Sequence, residues 1–180
     1  LEPNVHQPRR CRRGPSARLL AGLCLAWLAW LFPESLYASG LTRVATAPLP
    51  GPTDGPLPAL IASYRGQPVI ISFWASWCEP CRQEMPSLQR LAERWRALGL
   101  AVITVAVADQ RSRIADFLSE NELQLAVVDD RERIVSRAWG ARLLPTTVVL
   151  DRRHRIRLRG EGPIDWDSPA IDQTLQPLMK

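Results

Sequence analysis

The sequence predicts an α/β fold in which a central sheet is flanked by helices, and two observations support this. Short apolar runs rich in β-branched residues alternate with segments whose apolar residues recur every three or four positions, as expected of buried strands separated by amphipathic helices. One strand-to-helix junction carries two cysteines, Cys78 and Cys81. A length of 180 residues with 46% hydrophobic content suits one domain with appendages.

The first 40 residues resemble an export segment. Five arginines precede an uncharged apolar run over residues 19–32, and the small residues Ala38-Ser39-Gly40 follow. As a helix, that run would span about 21 Å, against a hydrocarbon core of about 30 Å. A cleaved signal peptide is therefore the preferred interpretation. An uncleaved membrane anchor is the alternative.

Charge and cysteine content limit the classes of function that the sequence allows. The first 40 residues hold five Arg and two Glu, which leaves 18 basic and 16 acidic groups in the remainder. So small an excess predicts no nucleic-acid partner. Cys11 and Cys24 belong to the export segment, so Cys78 and Cys81 are the cysteines of the mature domain. An exported domain that keeps one local pair favours a working disulfide over a structural one.

Residues 41–58 are rich in proline and also contain Gly51 and Gly55. Such a composition predicts an extended tether, reaching roughly 50 Å at about 3.1 Å per residue. The predicted organisation is an export segment over residues 1–40, a linker over 41–58 and a folded domain over 59–180.

The elements around the cysteines are the clearest. Residues 69–73 form an apolar, β-branched run bounded by Gly66 and Pro68, which is typical of a strand covered on both faces. From Glu79 onward, apolar residues recur with the period of a helix that buries one face: Met85, Leu88, Leu91 and Trp95.

The remaining elements follow by the same criteria. Gly99 ends the long helix, and Ser168 followed by Pro169 predicts the start of a final one. Between them we predict a strand over 100–107, a helix over 111–122, a strand over 125–128, a helix over 130–139 with Ile134, Val135 and Ala138 on it, and a β-hairpin of 146–150 with 155–159.

Cys78 and Cys81 stand three residues apart in the predicted first helical turn, so their sulfurs share a face and lie within disulfide reach. Free backbone N–H groups there favour a thiolate, and Pro80 is tolerated because a first turn needs no N–H from it. The same spacing occurs in zinc sites, but zinc needs four ligands, and His154 and scattered carboxylates are the other candidates. Redox chemistry is the preferred interpretation.

The motif F-W-A-S-W-C-E-P-C over residues 73–81, followed by R-Q-E-M-P, resembles the thioredoxin superfamily. Within it, the motif is similar to the exported thiol–disulfide oxidoreductases of the TlpA, ResA and CcmG type. The resemblance covers about residues 57–180. It implies a thioredoxin fold with a central mixed sheet and an extra helix and strand at about 111–128, and it implies neither a metal nor an organic cofactor.

The resemblance also implies roles for individual residues. Cys78 is the expected nucleophile, and the more buried Cys81 the residue that resolves the mixed disulfide. Pro145 is the expected cis-proline, which turns the backbone of Leu144 toward the cysteines to pair with a substrate segment. Trp77 is expected to form part of an apolar rim for docking.

Two acidic residues, Asp109 and Glu79, are further candidates to influence the chemistry of the cysteines. Related reductases place a carboxyl near the end of the second strand, so Asp109 is a candidate to relay the proton that Cys81 loses; the alternative is a cap for the next helix. Glu79 places a negative charge beside Cys78, which opposes the thiolate preference of the helix start and favours a reductant.

The sequence thus predicts an exported reductase of protein disulfides, in the periplasm or anchored to the membrane and facing it. Expected partners are disulfide-bearing exported proteins, with apocytochrome c as one candidate, and a membrane thiol that donates electrons. Contact with the membrane itself is expected only if the N-terminal segment is uncleaved. The alternatives are a disulfide-forming oxidase and a copper-handling module that holds Cu(I) between Cys78 and Cys81.

Overall fold

The computed structural model describes residues 40–51 and 55–180. The predicted export segment, apart from Gly40, therefore lies outside the described residues. Within the described part of the chain, no helix combines the length and the apolar character needed to span a bilayer.

Six strands form one sheet in the order β1-β6-β5-β2-β3-β4. Strands β2, β3 and β4 run parallel to one another, whereas β5, β6 and β1 are added antiparallel. The predicted central mixed sheet is confirmed. The strands are β1 Thr42–Ala47, β2 Val69–Trp74, β3 Ala101–Val107, β4 Ala126–Asp130, β5 Thr146–Leu150 and β6 Ile156–Glu161.

Helices cover both faces of this sheet. They are α1 Pro56–Ser63, α2 Glu79–Trp95, α3 Arg111–Glu120, α4 Ile134–Ala138 and α5 Pro169–Leu175, with short 3-10 turns at Arg96–Leu98 and Gln176–Leu178. The Ser168 hydroxyl accepts a hydrogen bond from the backbone N–H of Ala170, as expected of the predicted cap of α5.

The central strand β2 explains why the sheet is covered on both sides. Ile70 and Trp74 pack in the core that contains the buried faces of α2, α3 and α5. Ile71 and Phe73 point the opposite way, into the core that contains α1. All six residues of β2 are buried, so a continuous apolar run rather than an alternating one is what this position requires.

The predicted insertion, α3 followed by β4, is present. Strand β4 pairs in parallel with β3, beginning with Ala126 beside Ile103, and forms one edge of the sheet. On α3, Ile114 and Phe117 are buried.

The N-terminal part of the domain differs from the predicted tether. Thr42–Ala47 form strand β1, which pairs antiparallel with β6, and Pro56–Ser63 form α1 with prolines in its first turn. Proline at the start of a helix costs no hydrogen bond, and Leu57 and Ile61, four residues apart, are both buried. The high proline content of this region therefore gave no indication of the edge strand β1 or of the helix α1.

The helix predicted over residues 130–139 is shorter than expected. Asp130 ends β4, and its carboxylate accepts hydrogen bonds from the backbone N–H groups of Val135 at 2.9 Å and Ser136 at 2.8 Å. These bonds hold the turn before α4, which therefore begins at Ile134. Ile134, the first residue of α4, is 61% exposed.

Candidate active site

The two cysteines lie where β2 ends and α2 begins. Cys78 is the residue that precedes the first turn of α2, and Pro80 and Cys81 lie within that turn. The two sulfurs are joined in a disulfide of 2.09 Å, with Cα atoms 5.3 Å apart. The placement follows from the sequence, because an apolar strand leads into an amphipathic helix with only Ala75–Cys78 between them.

The two members of the pair differ in their surroundings. Cys81 is fully buried, whereas Cys78 keeps 7% of its surface exposed and lines an open cavity of about 740 Å³. A partner molecule can therefore reach Cys78 but not Cys81. This is the asymmetry that the resemblance implied.

Pro145 lies beside the cysteines because of the sheet register. Phe73, at the end of β2, pairs with Thr146 at the start of β5, which brings the residues before β5 to the same edge as Cys78. The Leu144–Pro145 peptide bond is cis, and Leu144 lines the same cavity as Cys78. The pairing of Leu144 with a substrate segment stays a prediction.

The two tryptophans of the motif differ in solvent exposure. Trp74 is fully buried, whereas Trp77 is 54% exposed and forms part of the cavity wall. The Trp77 indole N–H donates to the carbonyl of Ala108 at 3.2 Å. This bond fixes the ring, so that it presents an apolar surface next to Cys78.

Asp109 follows β3 and is almost fully buried, at 3% exposure. Its carboxylate accepts hydrogen bonds from the Ser76 backbone N–H at 2.5 Å, the Ser76 hydroxyl at 3.0 Å and the Gln110 backbone N–H at 2.8 Å. All three donors belong to the loops that carry the site. These contacts support a positioning role for Asp109, which holds the turn that leads into Cys78; the proton-relay role stays a hypothesis.

Glu84 is an acidic residue of this region that the sequence analysis missed. It lies on α2 three residues after Cys81, on the same buried face, and is 4% exposed. Its Oε2 accepts the backbone N–H of Ile164 at 2.9 Å, whereas Oε1 has no hydrogen-bond partner among the described residues. The available signal was an acidic side chain within the apolar stripe of an amphipathic helix.

The surroundings of Glu84 shift its protonation. Burial raises the pKa of Glu84 to about 7, and the Ile164 N–H, the Trp166 indole and the Ser72 hydroxyl each lower it by smaller amounts. The last two groups are near the carboxylate but outside hydrogen-bond geometry with Oε1. A carboxyl that is half protonated near neutral pH thus lies one helical turn below the buried cysteine.

Glu79 faces solvent instead. Its side chain is 72% exposed, and the guanidinium of Arg82 lies 3.9 Å away. One carboxylate oxygen accepts a hydrogen bond of 3.1 Å from the Gln83 amide. Solvent and Arg82 both weaken the field of Glu79 at Cys78.

Within residues 40–51 and 55–180, no three His, Cys, Asp or Glu side chains are grouped so that they could hold a metal ion. His154, the other candidate ligand considered from sequence, lies in the turn between β5 and β6, with its Nε2 3.2 Å from the carbonyl of Tyr64.

Comparison with protein families assigns the domain. The model of the AhpC/TSA family matches residues 58–159, which is more than half of the chain and includes both cysteines and the cis-proline. The chain belongs to the AhpC/TSA family. The thioredoxin-superfamily resemblance inferred from the cysteine motif is thereby confirmed.

Curated relatives include the thiol-disulfide oxidoreductase ResA of Geobacillus thermodenitrificans (strain NG80-2), which is 31% identical over 97 residues, 54% of this chain and 56% of the relative. ResA of Bacillus subtilis (strain 168) is 26% identical over 96 residues, 53% of this chain and 54% of the relative. The chain thus matches little more than half the length of these curated relatives.

Solved structures share the fold over more of the chain. One, assigned to the thiol:disulfide interchange protein DsbE of Chlorobium tepidum, has a TM-score of 0.62 and 27% identity, and the match covers 77% of this chain and 96% of that one. A secreted thiol-disulfide isomerase of Corynebacterium glutamicum has a TM-score of 0.59 and 29% identity, with coverage of 66% and 74%.

Proposed function

We propose that the protein is a thiol–disulfide oxidoreductase that reduces disulfides in partner proteins through Cys78 and Cys81. The observation that carries this proposal is the asymmetry of the pair. One sulfur, on Cys78, borders an open cavity that also contains Leu144 and Trp77, and the other lies in the core. The names of the relatives, thiol-disulfide oxidoreductases and interchange proteins, support the same chemistry.

The reaction begins from the dithiol form. The Cys78 thiolate attacks one sulfur of the partner's disulfide, forms a mixed disulfide and releases the partner's other sulfur as a thiolate, which takes up a proton. Cys81 then loses its proton and attacks the Cys78 sulfur. This forms the internal disulfide and releases the second partner thiol, so that two electrons have moved to the partner. A dithiol donor must then reduce the internal disulfide.

Asp109 and Glu79 act around this pair in the proposal. Asp109 holds the Ser76 turn through three hydrogen bonds and so positions Cys78. Glu79, next to Cys78, opposes a strongly stabilised thiolate. A weakly stabilised thiolate favours a reductant, because stabilisation of the reduced form is what makes an oxidant.

We further propose an exported location, periplasmic or membrane-anchored, with residues 1–40 as signal or anchor. The apolar run over residues 19–32 supports this. Fractionation of cells that express the full chain, with N-terminal sequencing of the mature protein, tests it. A cytoplasmic protein that retains residues 1–40 would contradict it.

The proposed partners are exported proteins that carry a disulfide, and a membrane thiol that supplies electrons. Apocytochrome c is one candidate substrate, because haem attachment needs free cysteines. A Cys81→Ser variant expressed in the native host, with trapped mixed disulfides identified by mass spectrometry, identifies the substrates. Recovery of no apocytochrome c would remove that candidate and leave the reductase proposal intact.

The decisive experiment is reduction of insulin by the dithiol form, together with the measured reduction potential. We expect turnover with a regenerating dithiol and a potential nearer the −270 mV of thioredoxin than the −120 mV of DsbA, both approximate. A potential near the DsbA value would favour the oxidase. Tight Cu(I) binding without insulin reduction would favour the copper-handling alternative.

A further inference from the structure

The cavity beside Cys78 is strongly basic. Three arginines line it, Arg133, Arg137 and Arg142, and no acidic residue among the described ones does. All three are exposed. Arg133 immediately precedes α4, Arg137 lies on α4 and Arg142 lies in the loop that leads into the cis-proline, so they share the cavity with the two groups, Cys78 and Leu144, that the proposed reaction uses.

These arginines have no charge partner within the described residues. None of their guanidinium groups makes an ion pair or a hydrogen bond in residues 40–51 and 55–180. Arg159, which lies close by, is different. Its guanidinium donates to the carbonyls of Trp139 at 3.0 Å and Gly140 at 2.6 Å, and it lies 3.4 Å from the carboxylate of Glu161.

The arrangement of the three arginines does not serve the stability of the fold. Arg133 immediately precedes α4 and Arg137 lies on that helix, so two like charges lie near each other with no acidic partner among the described residues. Arg133 also adopts a left-handed backbone conformation, with φ of 58°, which is unfavourable for a residue with a Cβ atom. A repulsive cluster that no internal acid neutralises is suited to a ligand of opposite charge.

We propose that these arginines select disulfide substrates whose cysteine is flanked by acidic side chains. The proposed ligand is an extended protein segment that passes along Leu144, with its disulfide at Cys78 and its carboxylates at the arginines. This inference rests on the proposed function and adds the substrate class. Substrates whose cysteines are flanked by basic residues are expected to be disfavoured.

The mixed character of the cavity indicates a protein segment. Its lining combines exposed apolar side chains, Trp77 at 54% and Leu143 at 63%, with the three arginines. A protein segment carries both apolar side chains and carboxylates, and in an extended segment alternate residues point to opposite sides, so it can present both kinds of group to this lining. The bidentate geometry of guanidinium groups suits carboxylates.

The first test uses three synthetic peptides that share one disulfide-closed loop and differ only in the flanking residues: Asp and Glu, Asn and Gln, or Lys and Arg. The second-order rate of their reduction by the wild-type dithiol protein is measured at low and high salt. We expect the acidic peptide to react about tenfold or more faster than the basic one at low salt, since a cleft of one charge raises on-rates about 10–10³-fold. The preference should shrink at about 1 M salt, where the Debye length is about 3 Å.

The second test compares two variants of equal net charge. R133Q/R137Q/R142Q removes the cavity arginines. R65Q/R96Q/R153Q removes three exposed arginines whose guanidinium groups also make no ion pair or hydrogen bond within the described residues but which lie at the other end of the sheet. Arg65 precedes β2 and Arg153 follows β5, at the end where Val69 pairs with Leu150, and Arg96 follows the C-terminus of α2.

The readout is the ratio of the acidic-peptide rate to the neutral-peptide rate. We expect the cavity variant to lose most of this ratio and the control variant to keep it. Equal loss in both would mean that net charge, not the cavity, sets the preference, and would overturn the inference. Equal rates for the three peptides with the wild-type protein would overturn it without any variant.

Failure of this inference is distinguishable from failure of the proposed function. If the dithiol protein reduces none of the peptides and no insulin, the proposed function fails. If it reduces all peptides at equal rates, or the basic one fastest, the proposed function stands and the acidic substrate class is wrong. Competition of the acidic and basic peptides for a Cys81→Ser variant, with the trapped adducts counted by mass spectrometry, gives the same answer by a separate readout.

Discussion

The cysteine pair divides the site into an open side and a buried side. On the open side lie Cys78, the exposed ring of Trp77 and the solvated Glu79. On the buried side lie Cys81 and the carboxyl of Glu84, both almost without solvent contact. Only one helical turn separates the two environments.

Two residues on one helical turn can therefore have different chemical roles, because one of them is accessible to solvent and the other is buried. A thiol on the open side meets partners, and a thiol on the buried side meets only its neighbour in the pair. The same applies to charge. Burial of the Glu84 carboxyl raises its pKa, because the core disfavours the charged form.

Removal of each sulfur in turn tests whether the open and buried sides have different roles, and it has the largest expected effect. Cys78→Ser should abolish thiol exchange with partner disulfides, because the remaining thiol is fully buried. Cys81→Ser should keep the first attack and accumulate mixed disulfides that it cannot resolve. Insulin reduction and mass spectrometry of trapped adducts measure both. Adducts on the Cys78→Ser variant would reverse the assignment.

Glu84 gives the next largest expected effect, on stability against pH. Burial raises its pKa in the folded state from an ordinary value of 4.5 to about 7, so between these pH values the folded state holds a proton that the unfolded state has lost. The stabilisation due to this proton is full below about pH 4.5 and is lost by about pH 7. The expected loss is roughly 3 kcal/mol at about 1.36 kcal/mol per pH unit.

The measurement is denaturant unfolding of the disulfide form between pH 4 and pH 8, where the cysteines do not titrate. Glu84→Gln should flatten the fall in stability over this range, because Gln carries no titrating proton. Glu120→Gln is the control, since it makes the same chemical change at an exposed position. An unchanged slope in Glu84→Gln would show that another group causes the pH dependence.

The open side was easier to predict from sequence than the buried side. The motif at residues 73–81 contains a strand end, a helix start and both cysteines within nine positions, so local pattern alone was sufficient. The burial of Glu84 depends on Ile164, 80 residues away, and no local pattern reports such a contact. The same limit explains β1, whose partner β6 lies more than 100 residues later.

The basic cavity shows the same limit. No local pattern relates Arg133 and Arg137 to Cys78, which lies more than 50 residues earlier, and the cavity that they share with it is formed only in the folded chain. The contacts of Asp109 could likewise not be predicted from neighbouring residues, because its donor Ser76 lies 33 residues earlier in the chain. Parallel pairing of β2 with β3 brings the loops after the two strands together.

Asp109 is a buried acid like Glu84, but its carboxylate accepts three hydrogen bonds. The backbone N–H groups of Ser76 and Gln110 bind different oxygens of the carboxylate, so Asp109→Asn leaves one of them without an acceptor. We expect a stability loss of about 1–3 kcal/mol and a modest slowing of insulin reduction. Ser76→Ala, which removes only the hydroxyl bond, should cost about 0.5–1.5 kcal/mol. Slower reduction near neutral pH with unchanged stability would instead support the proton-relay hypothesis.

The smallest expected effect belongs to Glu79, on the open side. The start of α2 favours a thiolate at Cys78 by about 0.3–1 kcal/mol, and Glu79 opposes it across solvent. Glu79→Gln should therefore stabilise the reduced form slightly and raise the reduction potential by roughly 10 mV, since about 1.4 kcal/mol corresponds to 30 mV. Redox equilibration against glutathione measures the shift.

The chain provides a matched control for that measurement. Glu93 also accepts a hydrogen bond from a glutamine four residues away on α2, Gln89, just as Glu79 does from Gln83. It lies 14 residues further along the helix, about 21 Å from Glu79, so Glu93→Gln should leave the potential unchanged. Equal shifts in both variants would mean that net charge acts at long range. No shift in either would mean that Arg82 and solvent already neutralise Glu79, and that the weak thiolate of the proposed reductant has another cause.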